Sequence, residues 1–123
     1  MSGHRITADL QRADFDQADP GTGGTITAAG NWTVVELISA ATETSSTLRR
    51  TLADPVKSGQ VAVLSLKTDA GDLGVYNATG VNTAGNNTIT FGDAGDTVVL
   101  TSIPNGTSGY KWIITANDTA ALS

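Results

Sequence analysis

Cysteine is absent from the 123 residues, so neither disulfides nor thiolate metal sites help to hold the chain together, and redox compartment leaves no mark on its sequence. Aromatic rings are few, with two each of Trp, Tyr and Phe, so the core must rely mainly on aliphatic side chains. Positive charge is also scarce. Seven Lys and Arg against twelve Asp and Glu give a net charge of -5 and a pI near 4.4. That balance repels a phosphate backbone or an anionic lipid surface at long range, which argues against nucleic acid and membrane as partners. No run of about 18 apolar residues occurs, so no helix is expected to cross a bilayer. The first twenty residues, MSGHRITADLQRADFDQADP, lack the apolar stretch of a signal peptide, and the chain is expected to stay where it is made.

What the sequence does contain is strand material. From Thr25 onward, short runs of Val, Ile, Thr and aromatics alternate with Gly, Asn, Asp and Pro. WTVVELIS (32–39), VAVLSLKT (61–68), LGVYNA, NTITF, TVVLTSI and YKWIIT read as strands at a spacing typical of antiparallel sandwiches and small barrels. Turn residues separate them: KSG at 57–59, AGNN at 84–87 and NG at 105–106. Within the body a short helix over 45–53 is the one competing local reading; in the first 24 residues the spacing of Ile6, Leu10 and Ala13 suits a short amphipathic helix and HRITADLQ equally an extended strand. The expectation is therefore one all-β domain, a small antiparallel β-sandwich or barrel-like body over residues 25–123. Before it lies an extended N-terminal arm, residues 1–24, which has Ile6, Leu10 and Phe15 as its large apolar side chains after Met1. DPGTGG at 19–24 reads as its flexible joint.

Alternation assigns faces. Tyr110, Trp112 and Ile114 share one side of their strand and are expected in the core, as are Ile89 and Phe91. Trp32 and Trp112 both read as core residues rather than exposed platforms. VAVLSLKT begins apolar on both faces and ends with Ser65 and Lys67 on one, so its start is expected to be covered on both sides. A small domain with such strands often completes its burial against another subunit.

The tetrapeptide DAGD occurs twice, at 69–72 and 93–96, and each copy places two carboxylates around a glycine. Calcium requires about six to eight oxygens, and single-segment calcium loops supply them through a denser alternation of acids with a distant glutamate. DAGD lacks both, so the expectation is a hairpin turn whose aspartates accept backbone amides, with no metal. The other candidates for chemistry are weaker. His4 has no framed nucleophile beside it, GTGG at 21–24 lacks the lysine of a phosphate cradle, and Arg49 and Arg50 read as a solvated basic pair. No catalytic residue, cofactor or metal site is expected.

The stretch SSTLRRTLADPVKSGQVAVLSLKTDAGDLGVYNATGVNTAGNNTITFGDAGDTVVLTSIPNGTSGYKWIITAND, residues 45–118, resembles the capsid decoration, or cement, proteins of tailed bacteriophages. The resemblance lies in the order of features: a polar stretch into SGQ and a strand, KTDAGD, a Gly/Asn-rich turn, TITFGDAGDTVVL and a closing KWIITAND. It implies a non-catalytic all-β virion protein, made in the host cytoplasm. Such a protein sits on the outer surface of an expanded capsid as a homotrimer and clamps neighbouring major capsid protein subunits. N-terminal segments in that family often contact the shell, which makes Ile6, Leu10, Arg12 and Phe15 the candidate capsid-binding residues. The alternative is a domain of a phage head fibre or receptor-binding appendage.

Overall fold

A computed structural model describes residues 16–123. Ten strands and no helix are found among them: β1 (Asp16–Ala18), β2 (Thr25–Ile26), β3 (Trp32–Ile38), β4 (Arg50–Leu52), β5 (Val61–Thr68), β6 (Leu73–Tyr76), β7 (Thr88–Phe91), β8 (Thr97–Pro104), β9 (Tyr110–Asp118) and β10 (Ala121–Leu122). They form two five-stranded sheets, ordered β1-β3-β5-β8-β9 and β10-β7-β6-β4-β2, which we call sheets A and B.

The fold is all-β and two-layered, as expected, but both sheets are mixed rather than purely antiparallel. From β1 to β6 the chain alternates between sheets, so each strand returns beside its predecessor in the same direction. The pairs β1–β3, β3–β5, β2–β4 and β4–β6 are therefore parallel. After β6 the chain reverses into β7 within sheet B, crosses to β8 and β9 of sheet A and returns to sheet B as β10, and the remaining pairs, β5–β8, β8–β9, β6–β7 and β7–β10, are antiparallel.

Alternation drives the layering. Val35 and Leu37 of β3, Ala62, Leu64 and Leu66 of β5, and Val98 and Leu100 of β8 point inward from sheet A and are fully buried. Leu52, Leu73, Val75, Ile89 and Phe91 meet them from sheet B. Each such side chain contributes roughly 1.5–3 kcal/mol relative to exposure. Trp112 is fully buried, with Ile114 packed against the core, and its indole N–H donates to the Ala53 carbonyl at 2.8 Å. Gln60, also fully buried, pins the adjoining loops: its amide donates to the carbonyls of Ala28 and Gly30, and its oxygen accepts from the Val56 N–H.

Three local expectations change. Residues 45–53 are not a helix: a single turn, in which the Arg49 N–H donates to the Ser45 carbonyl, leads directly into β4. Tertiary pairing with β2 and β6 overrides the local preference there. Both DAGD copies are corners between sheets, not hairpins, the first joining β5 to β6 and the second β7 to β8. The third change concerns DPGTGG, which is fastened rather than a free joint. Gly23 N–H donates to the Leu48 carbonyl, Gly24 N–H to the Gly21 carbonyl, and Thr51 N–H to the Gly24 carbonyl. Residues 16–24 thus belong with the body, because β1 adds an edge strand to β3 and the segment after it lies against β4.

Candidate interaction surface

The buried polar groups are the first place to look for chemistry. Arg50 is 1% exposed and lies between two carboxylates: its Nε and Nη2 donate to the two oxygens of Asp19 at 2.9 Å, and its Nη1 donates to Glu43 Oε1 at 2.7 Å. Nη2 also reaches the Ile38 carbonyl. Glu43 is further fixed by the Thr22 hydroxyl and by the Ala40 N–H. Burial pushes the Glu43 pKa up, but the bonds from Thr22, Arg50 and Ala40 outweigh it and hold the carboxyl at about 2. For Asp19 the same opposition, burial against bonds from Arg50, Ile38 and Gly21, also ends below the ordinary carboxylate value. Carboxylates so strongly ionised and fully engaged are poor proton acceptors near neutral pH. The cluster instead ties the β1–β2 connection to β3 and β4, and Arg50 is no solvated edge residue. Arg49 points the other way and stacks over the Tyr76 ring, 3.8 Å from its centroid.

One aspartate of each DAGD copy braces its corner. In the second copy, Asp96 Oδ2 accepts the N–H groups of Gly92 and Asp93 at 2.9 and 3.0 Å, while Oδ1 accepts the Thr119 hydroxyl. In the first, Asp69 Oδ1 accepts the Gly71 N–H at 3.1 Å. Among the described residues, no three His, Cys, Asp or Glu side chains converge as a metal site.

The outer faces of the two sheets are chemically unequal. On sheet A, cross-strand register places Trp32, Val61, Thr101 and Ile113 in one row and Val34, Val63, Val99 and Ala116 in the next. Eight positions on four strands thus carry no charge. A third row, Glu36, Ser65, Thr97 and Asp118, begins the polar margin, where Lys67 pairs with Glu36 at 3.1 Å. Ile103 flanks the first row and is 36% exposed, whereas Ile38, 48% exposed, lies beyond the Glu36 row. A groove of about 460 Å³ runs beside this surface, between β1 and the outward side chains Val34, Glu36 and Ile38. The corresponding rows of sheet B are Thr25, Thr51, Tyr76 and Thr88, and Gly74, Thr90 and Ala121; there Arg49 lies over Tyr76, and Gly74 is buried against residues 43–49.

Trp32, expected in the core, is thus on the outer face of sheet A and 46% exposed, whereas Trp112 is buried as expected. Its alternation was legible, since Thr33, Val35 and Leu37 take the inward positions. The candidate capsid-binding residues Ile6, Leu10, Arg12 and Phe15, and also His4, lie outside the described residues. The chain matches no known protein family and no curated protein sequence.

Proposed function

We propose that the protein is a non-catalytic decoration, or cement, protein of a tailed-bacteriophage capsid. It is made in the host cytoplasm, binds the outer surface of the expanded shell as a homotrimer, and clamps neighbouring major capsid protein subunits. The ordered resemblance over residues 45–118 motivates this reading. The structural observation that carries it is an outer sheet face built of Val, Ile and Trp on a two-sheet body whose described buried side-chain polar atoms all have hydrogen-bond partners. Such a body works through contact area and valency rather than through a reacting group. The arm residues Ile6, Leu10, Arg12 and Phe15 are assigned to the shell contact. The acidic balance favours a protein partner over nucleic acid or membrane.

A head-fibre or receptor-binding domain is the second reading. The alternating winding of β1 to β6 favours it, because stacked-coil architectures lengthen by adding units of this kind. Incubating the purified chain with expanded and unexpanded heads of one tailed phage separates the two. Decoration predicts saturable binding to expanded heads alone, and a combined Ile6→Ser, Leu10→Ser and Phe15→Ser variant should lose occupancy without a change in melting. Binding to host cells and to neither form of head would favour the appendage.

A further inference from the structure

We propose that the outer face of sheet A is the surface through which copies of this chain associate with one another. The inference deepens the decoration reading and rests on it only for the number of copies, three.

The inequality of the two outer faces comes first. A free-standing sandwich alternates buried side chains with polar ones that face water. Sheet B does so with Thr25, Thr51, Thr88 and Thr90, whereas sheet A shows Val34, Val61, Val63, Val99 and Ile113. Apolar side chains on both faces of β5, Ala62, Leu64 and Leu66 inward and Val61 and Val63 outward, mark a strand covered on both sides.

Charge selects the partner. Copies carrying -5 each repel one another, and the repulsion is least where no carboxylate faces the neighbour. The two central rows of sheet A, from β3 to β9, contain no charge, and Asp16, Glu36 and Asp118 stand at their margins. A basic partner would find little to recognise there, but an identical face would meet no like charge.

Association through strand edges is disfavoured by the fold. β2 and β10 have two residues each and β1 has three. β9 is long, but its register shifts between Val99 and Leu100 opposite, and the Ile114 N–H is already donated to the Val81 carbonyl. Short, bulged or covered edges resist the addition of another strand. The face therefore remains as the broad surface for self-contact.

Its size sets the strength. Four strands about 4.8 Å apart and two rows covering about 14 Å of strand length give a footprint of roughly 260 Å². That is about a third of the roughly 800 Å² per partner in a standard stable interface. In a closed ring of three each copy divides this one face between two neighbours, so any single pairwise contact is weak and closure of the ring supplies the stability.

Sedimentation of the full chain over a wide concentration range, without capsids, tests the proposal. The mean mass should climb from one chain towards three. Val63→Glu and Val99→Glu, both outward-facing, should each raise the concentration needed for association at least tenfold. Thr51→Glu, which adds the same charge on the outer face of sheet B, should change it less than twofold. Val63→Thr keeps the branched shape and the strand preference, so it should weaken association even if the glutamate variants fold poorly. Equal association of the Val63→Thr, Val99→Glu and unmodified chains would overturn the proposal. A chain that stays monomeric until residues 1–15 are removed would also overturn it, by assigning the face to its own N-terminal segment. So would a strict monomer whose head occupancy is lost with Val63→Glu and kept with Thr51→Glu, by assigning the face to the shell. Self-association with no binding to heads would sink the decoration reading alone.

Discussion

Arg50 is the residue on which the described N-terminal part of the body depends. It brings three buried charges together, and every polar atom among them has a partner. Removing only the cation leaves two buried carboxylates facing each other, so Arg50→Met should cost about 3–5 kcal/mol in urea unfolding. Replacing all three at once, with Asp19→Asn, Glu43→Gln and Arg50→Met, should cost less than the single change; a greater loss would show that the charges themselves stabilise the fold. The cluster also sets a pH dependence. Glu43 is held at about 2 against an ordinary 4.5, and Asp19 is lowered in the same direction. A depressed carboxylate pKa adds stability that is complete above the unfolded value and is lost as pH falls through the folded one. The urea midpoint should therefore be insensitive to these groups from pH 7 to 5 and fall between about 4.5 and 2. Glu43 contributes at most about 3 kcal/mol of that change. Glu43→Gln should flatten much of the acid slope, and an unchanged slope would remove Glu43 from the explanation.

At the scale of elements, the two DAGD corners show that equal letters do not imply equal physics. Gly95 has φ of +97° with open space where a Cβ would stand, so its requirement is conformational. Gly71 is not in that backbone region, but a Cβ there would lie 2.4 Å from the Thr42 nitrogen, so its requirement is space. Gly95→Ala should cost about 1–2 kcal/mol through left-handed strain. Gly71→Ala should lower the melting temperature further, because backbone at Ala41 and Thr42 must move; the reverse order would refute this division of roles. The same corners explain what was legible in the sequence. Strands such as β5 and β9 could be located from period-two alternation because each has an inward row of apolar residues. Whether a turn joins neighbours in one sheet or crosses to the other depends on pairing far away in the chain, and no local residue records it. Arg50 lay between these cases. Its place two residues before Leu52 put it on the inward side of β4, but its partner Asp19 is 31 positions upstream. Trp32 reads as a core residue by ring size, but its place in the alternation of β3 sets it outward.

For the whole molecule, the decisive relation is between a net acidic chain and two uncharged rows on one sheet face. If that face drives self-association, attraction and repulsion respond differently to salt. The attraction arises from removing apolar surface from water, which modest concentrations of sodium chloride scarcely alter. The repulsion between chains of charge -5 acts over the Debye length, about 30 Å at 0.01 M ionic strength and about 10 Å at 0.1 M. Raising salt from roughly 0.01 M to 0.3 M should therefore strengthen association and move the sedimentation midpoint to lower protein concentration. Ion pairing between copies, for instance through Lys67, Lys111 or Arg49, predicts the opposite sign, because screening would weaken those contacts first. Lowering the pH towards 5 should act in the same direction as salt, since it reduces net charge while the Arg50 cluster stays ionised. Sedimentation at two salt concentrations and two pH values distinguishes the mechanisms. Weaker association at high salt would show that charged margins, rather than the Val and Ile rows, hold the copies together.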